Sequence, residues 1–148
     1  MNEQERYRRL FSALTIYQHN MKILHWKCSG MNFDKCHLIT ESYADKLGEF
    51  QDTIAEIMIG FDFNPLCLCG VMDHLNKDDH QFIALDPEKT YNAEEVFGNI
   101  KTMFDGLREI YRDVYKCDCN TTDVCSTLDE HISFLRVEGL YKNKLRLS

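Results

Sequence analysis

His25 and His37 stand at the two ends of the segment HWKCSGMNFDKCH, and fifteen residues after the second comes Asp52, then Glu56 one helical turn later. Two imidazoles and two carboxylates form a ligand set that suits Fe(II) and overlaps with Zn and Mn, with positions left for water or an oxidant. Singly, each residue is ordinary. A histidine at a helix end and an acidic pair on a solvated helix face are both common. Only the joint spacing of the four points to one metal site.

The elements that must position them follow from apolar periodicity. Tyr7, Leu10, Phe11, Leu14, Tyr17, Met21 and Leu24 recur at steps of three and four, predicting a helix over residues 4–27. Cys28, Ser29 and Gly30 supply its stop, with Gly30 free to take positive φ. Asn32 is a candidate N-cap for a second helix, whose apolar positions run from Phe33 through Cys36, Thr40, Tyr43, Leu47, Phe50 and Ile54 to Met58. It should end by Phe61, ahead of Asn64-Pro65. The stretch 62–92 reads as mixed, with a short helix in PLCLCGVMDHLNK and a turn at Asp86-Pro87. A third long helix fits 93–116, and a fourth fits Thr122 or Asp123 to Lys144. The expected fold is all-α: an antiparallel four-helix bundle over residues 1–148 as a single domain, with a short extra helix in the connection between the second and third helices.

That geometry constrains the four ligands. If 33–60 is one helix, His37 and Asp52 lie roughly 22 Å apart along its axis, at about 1.5 Å per residue. Metal bonds to N and O span only about 2.0–2.2 Å. One chain therefore cannot gather all four on one ion, whereas two chains about a two-fold axis can set each histidine pair against the partner's carboxylates. No Glu-x-x-His motif surrounds Asp52 or Glu56, which disfavours a di-iron site inside one bundle.

Composition narrows the function classes. A formal net charge of −7 argues against a basic nucleic-acid binder and is compatible with attracting cations. The N-terminus MNEQERYRRLF has no apolar signal core and no run of about eighteen apolar residues occurs, so a cytoplasmic, non-membrane protein is expected. Seven cysteines then read as reduced thiols.

The order His25-Trp26, Gly30, Phe33, His37, then Asp52 and Glu56 follows H-W-x(3)-G-x(2)-F-x(3)-H and D-x(3)-E, with Tyr43 between. On these residues the chain resembles the mini-ferritin family known as DNA-binding proteins from starved cells, most strongly over 14–61. DEHISFLR at 129–136 resembles the family's last helix more loosely. The resemblance implies a hollow homo-oligomeric shell, a dodecamer built from two-fold dimers. It also implies oxidation of Fe(II) by hydrogen peroxide or O₂ at inter-subunit ferroxidase sites, and storage of ferric mineral.

Carried onto this sequence, the family's pattern sets His25 and His37 against Asp52 and Glu56 of a partner. Glu41 stands where the family usually has an aspartate beside the second iron. Trp26 corresponds to a tryptophan next to the site, partly in the core. Asp118 and Asp123 match acids lining iron-entry pores, though an N-cap role explains Asp123 equally. The family's DNA-binding members often carry a Lys-rich tail. Here the N-terminus offers only Arg6, Arg8 and Arg9 among Glu3 and Glu5, and the C-terminal YKNKLRLS is short, so DNA binding is not expected.

Other clusters carry weaker signals. Cys67/Cys69 and Cys117/Cys119 could combine as a four-thiolate zinc or iron site, although inert buried thiols are the simpler reading, as for Cys28 and Cys36. His74, Asp78, Asp79 and His80 read as a polar loop. Two other function classes fit less well: a non-enzymatic metal-binding or DNA-protecting shell, and a small di-metal oxidase working within one subunit.

Overall fold

In a computed structural model, which describes residues 1–77 and 85–147, six α-helices and one π-helical segment follow one another among the described residues. Helix α1 spans Glu3–Lys27 and α2 spans Phe33–Gly60. The short α3 (Leu68–Lys77) lies in the connection, and α4 spans Ala93–Tyr115. The last arm is α5 (Thr122–Phe134), a π-helical segment (Leu135–Tyr141) and α6 (Lys142–Leu147). None of these helices is long and apolar enough to cross a membrane, among the described residues.

Local chemistry sets the starts. Asn2 accepts from the Glu5 amide at 2.9 Å, and Asn92 with Glu95 forms a reciprocal capping box. Side-chain pairs fix the packing directions. Thr15 with Gln51 and His25 with His37 show α1 antiparallel to α2. Arg6 with Asp113 at one end, and Lys27 with Tyr91 at the other, show α1 antiparallel to α4. Tyr111 with His131, and Tyr43 with the Glu138 carbonyl, set the last arm antiparallel to both α4 and α2. Helices α2 and α4 are therefore parallel, and the link between them crosses the length of the bundle, as in ferritin-like folds.

The core is the predicted one: Leu10, Leu14, Met21, Leu47, Ile54, Ile100, Phe104, Leu107 and Leu128 are all fully buried. Two readings need correcting. The fourth helix continues to Leu147, and residues 135–141 are wound as a π-helix. Wider turns free carbonyls from the usual ladder. The Tyr43 hydroxyl approaches the Glu138 carbonyl at 2.7 Å, while the Asn143 amide donates to the Gly139 carbonyl at 2.7 Å. Asn32 does occupy the N-cap position of α2, but at φ 67° and with no side-chain hydrogen bond.

Candidate metal centre

The break between α1 and α2 is pinned from outside. Tyr91, at the far end of the crossover, donates its amide to the Lys27 carbonyl at 2.9 Å and accepts from the Ser29 amide at 2.8 Å. Gly30 takes φ 84°, as its lack of a side chain allows. The turn thus delivers His25 in the last turn of α1 and His37 in the second turn of α2 to the same end of the bundle.

The two imidazoles stack, centroids 3.7 Å apart and planes 19° from parallel. Nδ1 of His25 donates to the His37 carbonyl at 2.6 Å, and Nδ1 of His37 donates to the His25 carbonyl at 3.0 Å. A carbonyl only accepts, so each Nδ1 carries a proton, and the nitrogen left to bind a metal on each ring is Nε2. Fixing one nitrogen by a backbone carbonyl is how metal-binding histidines are oriented. Thr40 lies buried beneath, donating to the Cys36 carbonyl at 2.7 Å with its oxygen 3.5 Å from Nδ1 of His25. Phe33 covers the other side, stacked on His37 at 5.0 Å.

Asp52 and Glu56 occupy one exposed stripe of α2, and Glu41 is exposed one turn beyond His37. None of the three has an ion-pair partner among the described residues. Helix α2 is continuous from His37 to Glu56, so the roughly 22 Å separation holds. Among the described residues no three His, Cys, Asp or Glu side chains converge closely enough to hold an ion. The histidine pair and the carboxylate pair thus lie at two separate places on one chain.

Several expectations fail. Trp26 is 60% exposed, with its ring edge against His19 at 6.3 Å, and is not core. It lies two residues beyond buried Leu24, which turns it to the opposite side of α1. Buried thiols, the simpler reading of the cysteines, hold for Cys28, Cys36 and Cys117, whereas Cys119 is half-buried and Cys67 and Cys69 are exposed, and the four-thiolate alternative does not form among the described residues. Burial, the main cause, holds the Cys119 thiol up at about 12. Asp118 and Asp123 are exposed near the start of α5, but the N-cap is Thr121. Asp123 accepts from the Thr121 hydroxyl, which with backbone amides holds its carboxyl below the usual range. His74 lies on α3, whereas Asp78, Asp79 and His80 fall outside the described residues.

The sequence reading missed Thr40 and Tyr91 as supports of the site. Thr40 fitted the buried helix stripe, and nothing in the local pattern tied Tyr91 to a turn more than sixty residues earlier.

The arrangement of helices is that of the ferritin-like class. No family model matches the chain and no curated protein matches its sequence. Solved structures do match in shape over 99% of the chain. The Dps protein from Bacillus brevis aligns at TM-score 0.83 and 15% identity, covering 95% of that chain. Dps from Staphylococcus aureus aligns at 0.81 and 17%, again over 95% of its length. The Dps protein from Vibrio cholerae O1, described as one of a broad superfamily of ferritin-like diiron-carboxylate proteins, aligns at 0.80 and 15%, over 89%. The chain has the fold of these mini-ferritins.

Proposed function

We propose that this chain is an iron-storage and detoxification protein. It oxidises Fe(II) with hydrogen peroxide or O₂ at sites shared between subunits and holds the ferric product in a hollow oligomeric shell. One observation carries the reading: a single unbroken helix bears His37 near one end and exposed Asp52 and Glu56 roughly 22 Å away. Each half-site lacks what the other has, and a two-fold dimer of antiparallel α2 helices completes both at once. The likeness in shape to ferritin-like diiron-carboxylate proteins supports iron as the metal; zinc and manganese are chemically admissible substitutes. The dodecameric shell is the assembly that the family resemblance favours.

The stacking suggests two ions per site. An imidazole lone pair lies in its ring plane, and planes 19° from parallel with centroids 3.7 Å apart do not meet near the nitrogens. The two rings are proposed to serve neighbouring ions of a two-metal site. His25 and His37 bind through Nε2, the partner's Asp52 and Glu56 bind through oxygen, and Glu41 stands one turn from His37 to assist. Two Fe(II) give one electron each to peroxide, whose O–O bond breaks; with two protons, two waters leave. Consuming both reactants together suppresses hydroxyl radical formation. Exposed Trp26, beside this end of α1, is available to intercept stray oxidant.

Anaerobic Fe(II) addition followed by peroxide, with particle mass measured alongside, tests the reading. Wild type is expected to oxidise iron as a multi-subunit particle, and His37→Ala and Asp52→Ala each to lose most of that activity. A monomer that binds iron fully would overturn it. A shell that binds iron without oxidising it would leave a passive metal-binding particle instead.

A further inference from the structure

Tyr111 is fully buried at the centre of the bundle, and its hydroxyl lies 2.7 Å from Nδ1 of His131 on α5. The two rings meet edge to face at 5.5 Å. His131 also stacks on Phe50 at 3.7 Å, with planes 14° apart. Phe50 belongs to α2, two residues before Asp52. An aromatic column thus runs from the helix bearing the candidate carboxylates to a buried phenol.

A buried polar pair is not a requirement of stability, since replacing both members by apolar groups of the same shape can be nearly neutral. Burial, aided by the Lys46 ammonium, holds the imidazole neutral, with its pKa down to about 4. Burial also pushes the Tyr111 phenol far above its usual value, so it does not ionise by itself. A phenol that has lost an electron is a very strong acid, and a neutral imidazole at hydrogen-bond distance is there to take its proton.

We propose that Tyr111 and His131 form a proton-coupled electron donor to the oxidising site, Tyr111 releasing one electron as its hydroxyl proton moves to Nδ1 of His131. The proposal rests on the ferroxidase reading and supplies what a half-filled site lacks. Peroxide needs two electrons to become two hydroxides. With a single Fe(II) bound, iron supplies one and Tyr111 the other. The products are Fe(III), two hydroxides, a tyrosyl radical and the His131 imidazolium, and no hydroxyl radical is released. The next Fe(II) reduces the tyrosyl radical, and the proton returns from His131 to the phenol oxygen.

Freeze-quenched electron paramagnetic resonance tests this on the full chain, given sub-stoichiometric Fe(II) and then excess peroxide. The expected signal is a tyrosyl radical, identified by its narrowing when deuterated tyrosine is incorporated. It should vanish in Tyr111→Phe and fall roughly tenfold in His131→Gln, whose amide accepts the hydrogen bond but cannot keep the proton. An undiminished radical in Tyr111→Phe, or none in a wild type that oxidises iron, overturns the proposal. Should no iron be oxidised, the ferroxidase reading has failed. A flash-generated ruthenium(III) polypyridyl oxidant on iron-free protein then reads the pair alone. A radical slowed in heavy water and lost in Tyr111→Phe keeps the pair as a donor; its absence overturns the proposal. If Tyr111→Phe does not fold, His131→Gln and the heavy-water effect carry the same decision.

Discussion

The ring of Phe104 fills the space that any side chain at position 139 would need. A Cβ added to Gly139 would lie 1.8 Å from Cδ2 and 2.2 Å from Cε2 of that ring. Overpacking of this kind costs about 1–3 kcal/mol or more. Gly139→Ala should therefore lower the urea midpoint clearly, and Phe104→Leu in the same chain should return part of the loss, because contacting sites couple. Simply additive losses in the double variant would contradict the contact.

Tyr43 ties α2 to the π-helical segment. Its hydroxyl approaches the Glu138 carbonyl at 2.7 Å and Asn143 Oδ1 at 3.1 Å, and it accepts from Arg146 Nη1 at 3.0 Å. Tyr43→Phe keeps the ring contact with Phe104 and removes the hydroxyl from the Glu138 carbonyl, while Arg146 Nη1 and Asn143 Oδ1 keep each other at 2.6 Å, so the loss should be about 1 kcal/mol. Hydrogen exchange should quicken over 135–147 while α1 stays protected. Uniform quickening along the chain would argue against this local role.

The proposed two-chain centre can be tested decisively by complementation. His37→Ala and Asp52→Ala subunits, each inactive alone, are expected to regain activity when refolded together. A mixed dimer has one site with both defects and one with neither, so random mixing restores about a quarter of wild-type sites. No recovery in verified mixed particles would count against the two-chain centre.

His131 should make the protein acid-sensitive. Its folded pKa of about 4 lies below the ordinary 6.5, chiefly because burial penalises the charged ring. Above pH 6.5 neither the folded nor the unfolded state is protonated there, and the contribution is whole. As pH falls from 6.5 to about 4, the unfolded chain binds a proton that the folded chain refuses, and stability drops by about 3 kcal/mol. Urea midpoints for wild type should fall more steeply over this window than those for His131→Phe. Parallel curves would exclude the effect.

The hydrogen bonds between His25 and His37 assign both rings as Nδ1–H tautomers. Nitrogen-15 chemical shifts of the metal-free protein, taken at a pH where both rings are neutral, should report that form for each. An Nε2–H signature on either ring would remove its capacity to bind as described.

Much of this was legible in the residues. Steps of three and four gave α1, α2 and α4 to within a residue or two, because an amphipathic helix writes its buried face into its spacing. The same continuity separates His37 from Asp52. What stayed hidden depended on distant partners. The π-helical segment packs Gly139 against Phe104 and sets the Glu138 carbonyl at the Tyr43 hydroxyl, and no window of local sequence contains those pairs. The apolar character of Trp26 points to burial, but its place on the helix two residues past Leu24 turns it outward. Asn32 was taken for an ordinary cap because residue type alone does not report a positive φ.

The imidazole clasp joins residues only twelve positions apart, across one tight turn. Contacts so close in sequence close early, at little entropic cost. A newly folded subunit therefore carries its nitrogen donors fully arranged before it meets any neighbour, while its oxygen donors wait as bare side chains on the far stretch of α2. Chemistry at such a centre would switch on with assembly rather than with folding, and lone subunits would be inert toward peroxide.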